Sequence, residues 1–442
     1  MQRIPEQVKS VLRKLEEAGH EAWCVGGCVR DLLLGRVPGD WDVTTSALPE
    51  ETQELFGERA IPTGLQHGTV TVRTDEGHVE VTTYRTDGAY KDHRRPESVR
   101  FTRSLEEDLA RRDFTVNAIA MSADGVICDP MDGWADLAVR RLRCVGDPDR
   151  RFSEDALRIL RGLRFASVLE FSIESNTAAA IHRNSRLLRE IAAERIRTEL
   201  DKMLCGNGVA EILREYPDVL SVFVPEIWPA VGFQQNSPYH CYDVWEHTIQ
   251  SVVAAPEEVV LRLTMLFHDL GKPATYSEDD DGGHFYGHTK VSTVLADGIL
   301  SRLKYDNETR KAVITLVERH DLPVQPTEKS VGRALRLLGE RNMRRLLAVK
   351  RADNRAQSPE YWWRCEEIDA VERVVEEVLE SERCFSLKQL AVNGTDLMEL
   401  GLRGRWIGEM LEWLLTSVVD GNLPNERNAL MENAKIQRDR LK

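Results

Sequence analysis

Four absences narrow the reading of this 442-residue chain before any motif is considered. No stretch approaches the ~20 consecutive apolar residues of a membrane-spanning helix, so no membrane partner is expected. Met1 to Glu21 has no apolar centre of the kind a signal peptide carries, which predicts a cytoplasmic protein. The eight cysteines are scattered singly, and the nearest two, Cys24 and Cys28, lack the partners of a zinc site. They read as reduced thiols. Positive charge is also short, with 59 Lys and Arg against 73 Asp and Glu for a net charge of −14. Because neutralising phosphate dominates nucleic-acid affinity, such a chain binds nucleic acid only if its charge is segregated. Between Arg140 and Lys202 it is segregated, with 14 Lys and Arg against 10 Asp and Glu, a candidate basic groove. No internal repeat or low-complexity tract is visible. The length suffices for two to four domains and a sizeable core.

What is present begins with a turn and two carboxylates. Gly26, Gly27, Arg30 and Asp31 form a Gly-Gly-x-x-Arg-Asp turn, and Asp40 and Asp42 follow one residue apart. The spacing predicts a strand over Ala22 to Val25, a helix over Val29 to Leu34, a loop over Gly35–Gly39 and a second strand carrying the carboxylates. Side chains two apart on a strand share a face, so Asp40 and Asp42 can hold divalent metal together. The glycines admit backbone N–H groups to a triphosphate, and Arg30 adds fixed positive charge. A period-two hairpin is expected from Gly68–Arg73 and Val79–Tyr84 about a turn at Asp75–Gly77. Glu80 then points away from Val79 and Val81. From about Ser153 onward, leucine spacing of three and four predicts helices.

Three further segments make the pattern specific: Arg111–Ala118 (RRDFTVNA), Asp129–Leu137 (DPMDGWADL) and Arg151–Arg158 (RFSEDALR). In order and spacing, from about Ala22 to Leu204, the chain resembles class II tRNA nucleotidyltransferases, the CCA-adding enzymes. That family belongs to the DNA polymerase β superfamily and shares its amino-terminal half with bacterial poly(A) polymerases. The resemblance implies an α+β fold, with a nucleotidyltransferase head built on a mixed sheet, then an all-helical neck, body and tail. The expected divisions are a head at 1–145, a neck at 146–230, a body at 231–360 and a tail at 361–442.

The resemblance also implies roles. Asp40 and Asp42 bind Mg²⁺, with Glu80 as the third acidic group. Gly26, Gly27 and Arg30 steady the triphosphate, and Arg112, Asp113 and Asn117 recognise the ribose. Arg111 and Asp113 could equally pair to support the sheet. Asp155 and Arg158, three apart in a segment reading as helix, are expected to share a face and select the base. A carboxylate only accepts hydrogen bonds and a guanidinium only donates them, a pattern that matches cytosine and adenine and mismatches uracil and guanine. Asp129–Leu137 resembles a hinge whose acidic residues are structural. Asp87–Pro96 resembles the loop that family members need to switch from CTP to ATP. The implied partners are tRNA, CTP and ATP; nothing in the sequence fixes an oligomeric state. Rival readings are a CC- or A-adding enzyme, a poly(A) polymerase, whose usual basic tail is missing here, and a non-catalytic tRNA-binding protein, against which Asp40 and Asp42 argue.

A second constellation follows Val231. His247, the pair His268-Asp269 and Asp353 occur in the order of the HD phosphohydrolase superfamily, whose His, His-Asp and distant Asp bind a divalent metal. This resemblance implies a second divalent-metal site, and phosphohydrolysis as a rival main activity. His288 and His320-Asp321 would extend the site toward two metals. In the tail, Gly394–Gly408 with Arg403 and Arg405 is a candidate tRNA contact. Tyr361-Trp362-Trp363 is expected to pack in a core or a seam.

Overall fold

The computed structural model describes residues 3–88, 99–280, 282–381 and 384–440. Most of the expected switching loop, residues 89–96, therefore lies outside the described residues. The chain forms two compact units, Met1–Trp228 and Pro229–Lys442.

In the first unit, short apolar runs alternate with turn residues and give a mixed sheet of seven strands. Its members are β1 (Ala22–Val25), β2 (Asp42–Thr45), β3 (Ala60–Gly64), β4 (Thr69–Thr74), β5 (Gly77–Thr83), β8 (Ala120–Met121) and β9 (Ile127–Cys128). Among the described residues, the intervening β6 (Arg85–Asp87) and β7 (Val99–Phe101) pair only with each other. Strand order is β3-β4-β5-β2-β1-β8-β9. In the hairpin β4–β5 the expected alternation holds in β5, which buries Val79 and Val81 on either side of exposed Glu80, while in β4 Thr71 is buried together with Val70 and Val72. The β2–β5 pairing is parallel, and it sets Asp42 beside Glu80 in register.

Val25, Tyr84, Leu105, Leu109, Ala118, Ala120 and Val145 form a buried cluster behind these strands. The helix after β1 spans Gly27–Leu33, two residues earlier than its apolar run suggests. Gly26 turns the chain at φ 82°, where a side chain would be strained, and its carbonyl accepts from Arg30 N at once.

After β9 the described residues of the first unit are helical apart from one two-residue strand pair, Arg141–Leu142 with Ser172–Ile173. Helix Leu157–Leu169 packs on helix Ala193–Leu204, burying Leu160, Leu163, Leu200 and Leu204. At full burial each such side chain contributes roughly 1.5–3 kcal/mol. One expectation fails here. Asp155 and Arg158 do not share a helix face, because helix Pro148–Glu154 ends before Asp155, whose backbone is extended (φ −136°, ψ 103°). The Asp155 side chain accepts from Leu157 N at 3.1 Å, a local bond that competes with helix and starts a new one at Leu157.

The second unit is helical, with one short hairpin, Ser277–Asp279 with Gly282–His284. Helices Val244–Ala254, Val259–Phe267, Asn307–Arg319 and Glu328–Arg355 enclose its centre. A separate buried cluster, including Val392, Leu397, Leu414, Leu415 and Leu430, holds the last three helices. The aromatic run at 361–363 departs from expectation. Trp362 and Trp363 are 40% and 52% exposed, because they lie in the turn before helix Arg364–Glu380, with Arg355 and Arg364 stacked on them. Among the described residues no helix is long and apolar enough to cross a membrane.

Candidate active site

The head site starts from the β2–β5 register. Glu80 N donates to Trp41 O at 3.1 Å, fixing the strand end at Asp42, whereas Asp40, expected on the same strand, lies in the bend that precedes it. Asp40 is exposed and Asp42 half-buried. Burial, Asp40 and Glu80 together push the Asp42 carboxyl up to about 6, with Arg112 opposing them. Three carboxylates thus crowd one strand end. The turn lies close by, since a Cβ on Gly26 would meet Arg112 Nη1 at 3.4 Å and Asp42 Oδ2 at 3.7 Å. Gly26, Asp42 and Arg112 therefore converge.

Around them runs a chain of buried polar contacts. Arg30 donates to Asn117 Oδ1 at 2.7 Å and pairs with Asp31 at 2.8 Å. Asn117 donates in turn to Asp113 Oδ1 at 3.1 Å. Asp113 is fully engaged, accepting also from Phe114 N at 2.8 Å and from Arg161 at 2.7 Å. Burial opposes its charge, yet Arg161 and Asn117 hold its carboxyl down to about 2. Asp113 and Arg111 are not a pair, because each has a nearer partner. Arg111 bonds Asp108 at 2.7 Å.

Asp108 is a residue the motifs did not single out. Completely buried, it accepts from Arg111, from Arg112 at 3.3 Å and from Thr44 at 3.1 Å. Its spacing of three and four from the two arginines was a readable signal.

Asp155 and Arg158 come close to this network through the arginine. Arg158 Nη2 donates to Arg111 O at 3.2 Å and Nη1 to Glu154 Oε2 at 2.7 Å. Glu154 takes Arg151 at 2.7 Å as well. Asp155 Oδ2 accepts from Arg195 at 3.1 Å. The guanidinium groups of Arg30, Arg161 and Arg164 all face the Phe165 ring, 4.0–5.3 Å from its centroid. In Asp129–Leu137, Asp136 is buried and holds Arg141, Arg143 and Thr115, a structural role.

The second unit gathers the histidines. His247, His268 and Asp353 offer ligand atoms within 4.8 Å of one another, and so do Asp269, His288 and His320. His247 Nε2 lies 3.0 Å from Asp353 Oδ1 and 3.3 Å from Asp269 Oδ2. Every ring is anchored by Nδ1, donating to Ala356 O, Met265 O, Phe285 O and Val317 O at 2.7–3.1 Å. A carbonyl only accepts, so in the neutral ring Nδ1 carries the hydrogen and Nε2 the lone pair. All four Nε2 atoms point inward. Burial opposes charge on His268, but Asp269 and Asp353 push it up to about 10.

Comparison with known proteins places this geometry. Residues 22–143 match the family described as Poly A polymerase head domain, residues 170–230 the "Probable RNA and SrmB- binding site of polymerase A", and residues 284–434 tRNA nucleotidyltransferase domain 2. A CCA-adding enzyme of Levilactobacillus brevis is 34% identical over 98% of both chains. One of Geobacillus kaustophilus is 52% identical over 47% of this chain, and that alignment spans only about half (51%) of the relative's length. The crystal structure of a Bacillus stearothermophilus CCA-adding enzyme in complex with CTP superposes with a TM-score of 0.71 at 30% identity, covering 99% of this chain and 98% of that one. The chain belongs to the class II CCA-adding enzyme family.

Proposed function

We propose that this protein is a tRNA nucleotidyltransferase that adds C, C and A to the tRNA 3′ end from CTP and ATP, without a nucleic-acid template. The observation that carries the reading is the convergence of Asp42, Gly26 and Arg112 beside Asp40 and Glu80, in a chain similar end to end to a CCA-adding enzyme. Eight thiols free of disulfides fit a reducing cytoplasm.

Asp40 and Asp42 would hold Mg²⁺. The donor set fits, because the raised Asp42 pKa marks crowded negative charge that a cation relieves. The bound ion would supply positive charge that favours deprotonation of the primer's 3′-hydroxyl and offsets charge on the triphosphate. Gly26 and Gly27 leave room for phosphate at the backbone, with Arg30 and Arg112 adding charge beside it. Asp113, with both oxygens engaged, acts by orienting Asn117 and Arg161 toward the nucleotide. Asp155 and Arg158 read the base edge, with Arg158 held ready by Glu154 and the Arg111 carbonyl. The basic surplus between Arg140 and Lys202 would bind the tRNA backbone, and the match of residues 170–230 to an RNA-binding region supports this.

A second cation-binding place is proposed in the second unit, held by His247, His268, Asp269 and Asp353. The donors fit. His247, His268 and Asp353 offer ligand atoms within 4.8 Å of one another, Asp269 Oδ2 lies 3.2–3.3 Å from both imidazoles, and both Asp269 oxygens are buried with no aligned hydrogen-bond donor. The set of imidazole and carboxylate suits Mn²⁺, Fe²⁺, Ni²⁺ or Zn²⁺ better than Mg²⁺.

The deciding experiment incubates tRNAs ending before C, after C and after CC with CTP and ATP, separately and together, and sequences the 3′ ends. Stepwise C, C and A addition is expected. Arrest at CC, addition of A alone, or an A tail of many residues would each replace this reading with the corresponding relative.

A further inference from the structure

We propose that Phe165 is a positioning residue for the triphosphate: its ring gathers Arg30, Arg161 and Arg164 into one cationic wall that faces the outer phosphates of the incoming nucleotide. This rests on the reading of the head as a nucleotidyltransferase site given above.

Phe165 lies near the end of helix Leu157–Leu169 and is 7% exposed. Phe114 meets it edge-on, with 5.9 Å between the ring centroids. The guanidinium carbons of Arg164, Arg30 and Arg161 stand 4.0, 5.1 and 5.3 Å from its centroid. The face of an aromatic ring is negative and attracts a cation within about 6 Å, so this one ring draws in three. Arg161 and Arg164 come from its own helix, whereas Arg30 comes from helix Gly27–Leu33, which opens at the glycine turn. A Cβ on Gly27 would lie 3.7 Å from Arg30 Nη2, so the wall abuts the turn that, on that reading, admits phosphate.

Ion pairing alone does not collect these groups. Each guanidinium has its own carboxylate in a different part of the chain: Asp31 at 2.8 Å, Asp113 at 2.7 Å and Glu199 at 2.6 Å. Three like charges tied to separate partners repel one another, and that repulsion would spread them. Phe165 is common to all three. Arg164 Nε is buried and makes no aligned hydrogen bond to the described residues, so stacking on the ring rather than a directed bond sets the plane of that guanidinium. A second link runs through Asn117, which accepts from Arg30 at 2.7 Å and donates to Asp113, the partner of Arg161.

The assembled wall suits a polyanion. Burial pulls the Arg164 pKa below its ordinary value, and Arg161 and Arg30 add to this against the opposite pull of Glu199 and Asp113. Crowded positive charge of this kind is relieved by negative charge arriving from outside. In a nucleoside triphosphate that charge is densest on the outer phosphates, and Arg30 already stands on the side of Gly26 and Gly27 proposed for them. Arg158 lies on the same helix about two turns before Phe165, so the wall and the base-reading guanidinium share one scaffold.

The test follows C addition by the full chain. Phe165→Leu keeps an apolar side chain and removes the ring face. The KM for CTP and the inhibition constant of pyrophosphate should each rise at least about tenfold, about 1.4 kcal/mol. Inhibition by CMP, which lacks the outer phosphates, and kcat should both shift less than about twofold. Phenylalanines carrying one, two or three ring fluorines at position 165 keep the shape and progressively drain the negative face. The KM for CTP should climb stepwise along that series, which decides the matter should the leucine variant fail to fold. A flat fluorine series, or equal losses for pyrophosphate and CMP in Phe165→Leu, overturns the positioning role while the parent still adds C. A parent chain that adds no C from CTP overturns the nucleotidyltransferase reading itself.

Discussion

Glu154 grips Arg158: Oε2 of the carboxylate lies 2.7 Å from Nη1 of the guanidinium, across the break that Asp155 makes between two helices. Arg158 is therefore aimed by a neighbour rather than by its own helix. Replacing Glu154 with Gln removes a charge-assisted bond worth ~1.5–3 kcal/mol and lets the base reader swing. The expected outcome is a drop of about tenfold or more in kcat/KM for CTP and ATP, mostly through KM, with partial recovery in Glu154→Asp. Steady-state kinetics with wild-type efficiency in Glu154→Gln would show that Arg158 needs no such support.

Asp155→Asn keeps the shape of the base reader but turns half of its acceptor surface into a donor. Uracil, whose carbonyl oxygen meets repulsion at a carboxylate, would then find a partner. UTP incorporation should rise at least about tenfold relative to CTP, the worth of one mismatched polar contact. Competition assays with mixed nucleotides read this ratio, and an unchanged ratio would remove Asp155 from base selection.

Asp42 links activity to pH. Its carboxyl is pushed up to about 6, so below that value a proton competes with the cation for the same oxygen. The Mg²⁺ concentration for half-maximal C addition should climb about tenfold per pH unit below 6 and level off above it. Asp42→Ala should abolish addition at every pH while tRNA affinity, measured by filter binding, stays near that of the unaltered chain. A flat Mg²⁺ requirement from pH 5 to 8 would separate Asp42 from the metal.

The Asp113 carboxyl is shifted in the opposite direction to that of Asp42, and its pairing with Arg161 makes a stability prediction. Asp113 is held at about 2, below the ~3.9 of an unfolded aspartate, so its contribution is present in full above ~3.9 and is lost as pH falls through about 2. Arg161→Met removes the main group that keeps it low, leaving burial to raise it. Acid unfolding followed by circular dichroism should then begin at a higher pH, with a loss on the order of 2 kcal/mol at neutrality. An acid transition identical to that of the parent would mean that Asp113 is stabilised without Arg161.

These residues also mark how far the sequence can be read. Period-two alternation located β4 and β5, and the glycine turn located β1, because those patterns are local. The break at Asp155 escaped notice since a run such as FSEDALR satisfies helix periodicity. Only the side-chain bond to Leu157 N reveals the stop. Arg161 could not be tied to Asp113 from the sequence, for 48 positions separate them and only folding makes them neighbours. The histidines were legible as a set, but not the four backbone carbonyls that orient them. Those are properties of helix ends rather than of residue types.

The Oδ2 atom of Asp108 accepts from Thr44 on β2 and from Arg112 beside the turn, while Oδ1 takes Arg111 and the Arg85 amide. One buried carboxylate thus clamps the strand that begins at Asp42 to Arg112, beside the glycine turn. On the function proposed above, a pull on Arg112 would be passed through Asp108 to β2, so that Asp42 and the Arg112 guanidinium would move together. On the same function, the change from CTP to ATP would then fall on Asp155 and Arg158, where one helix ends, another begins and Asp155 holds Arg195.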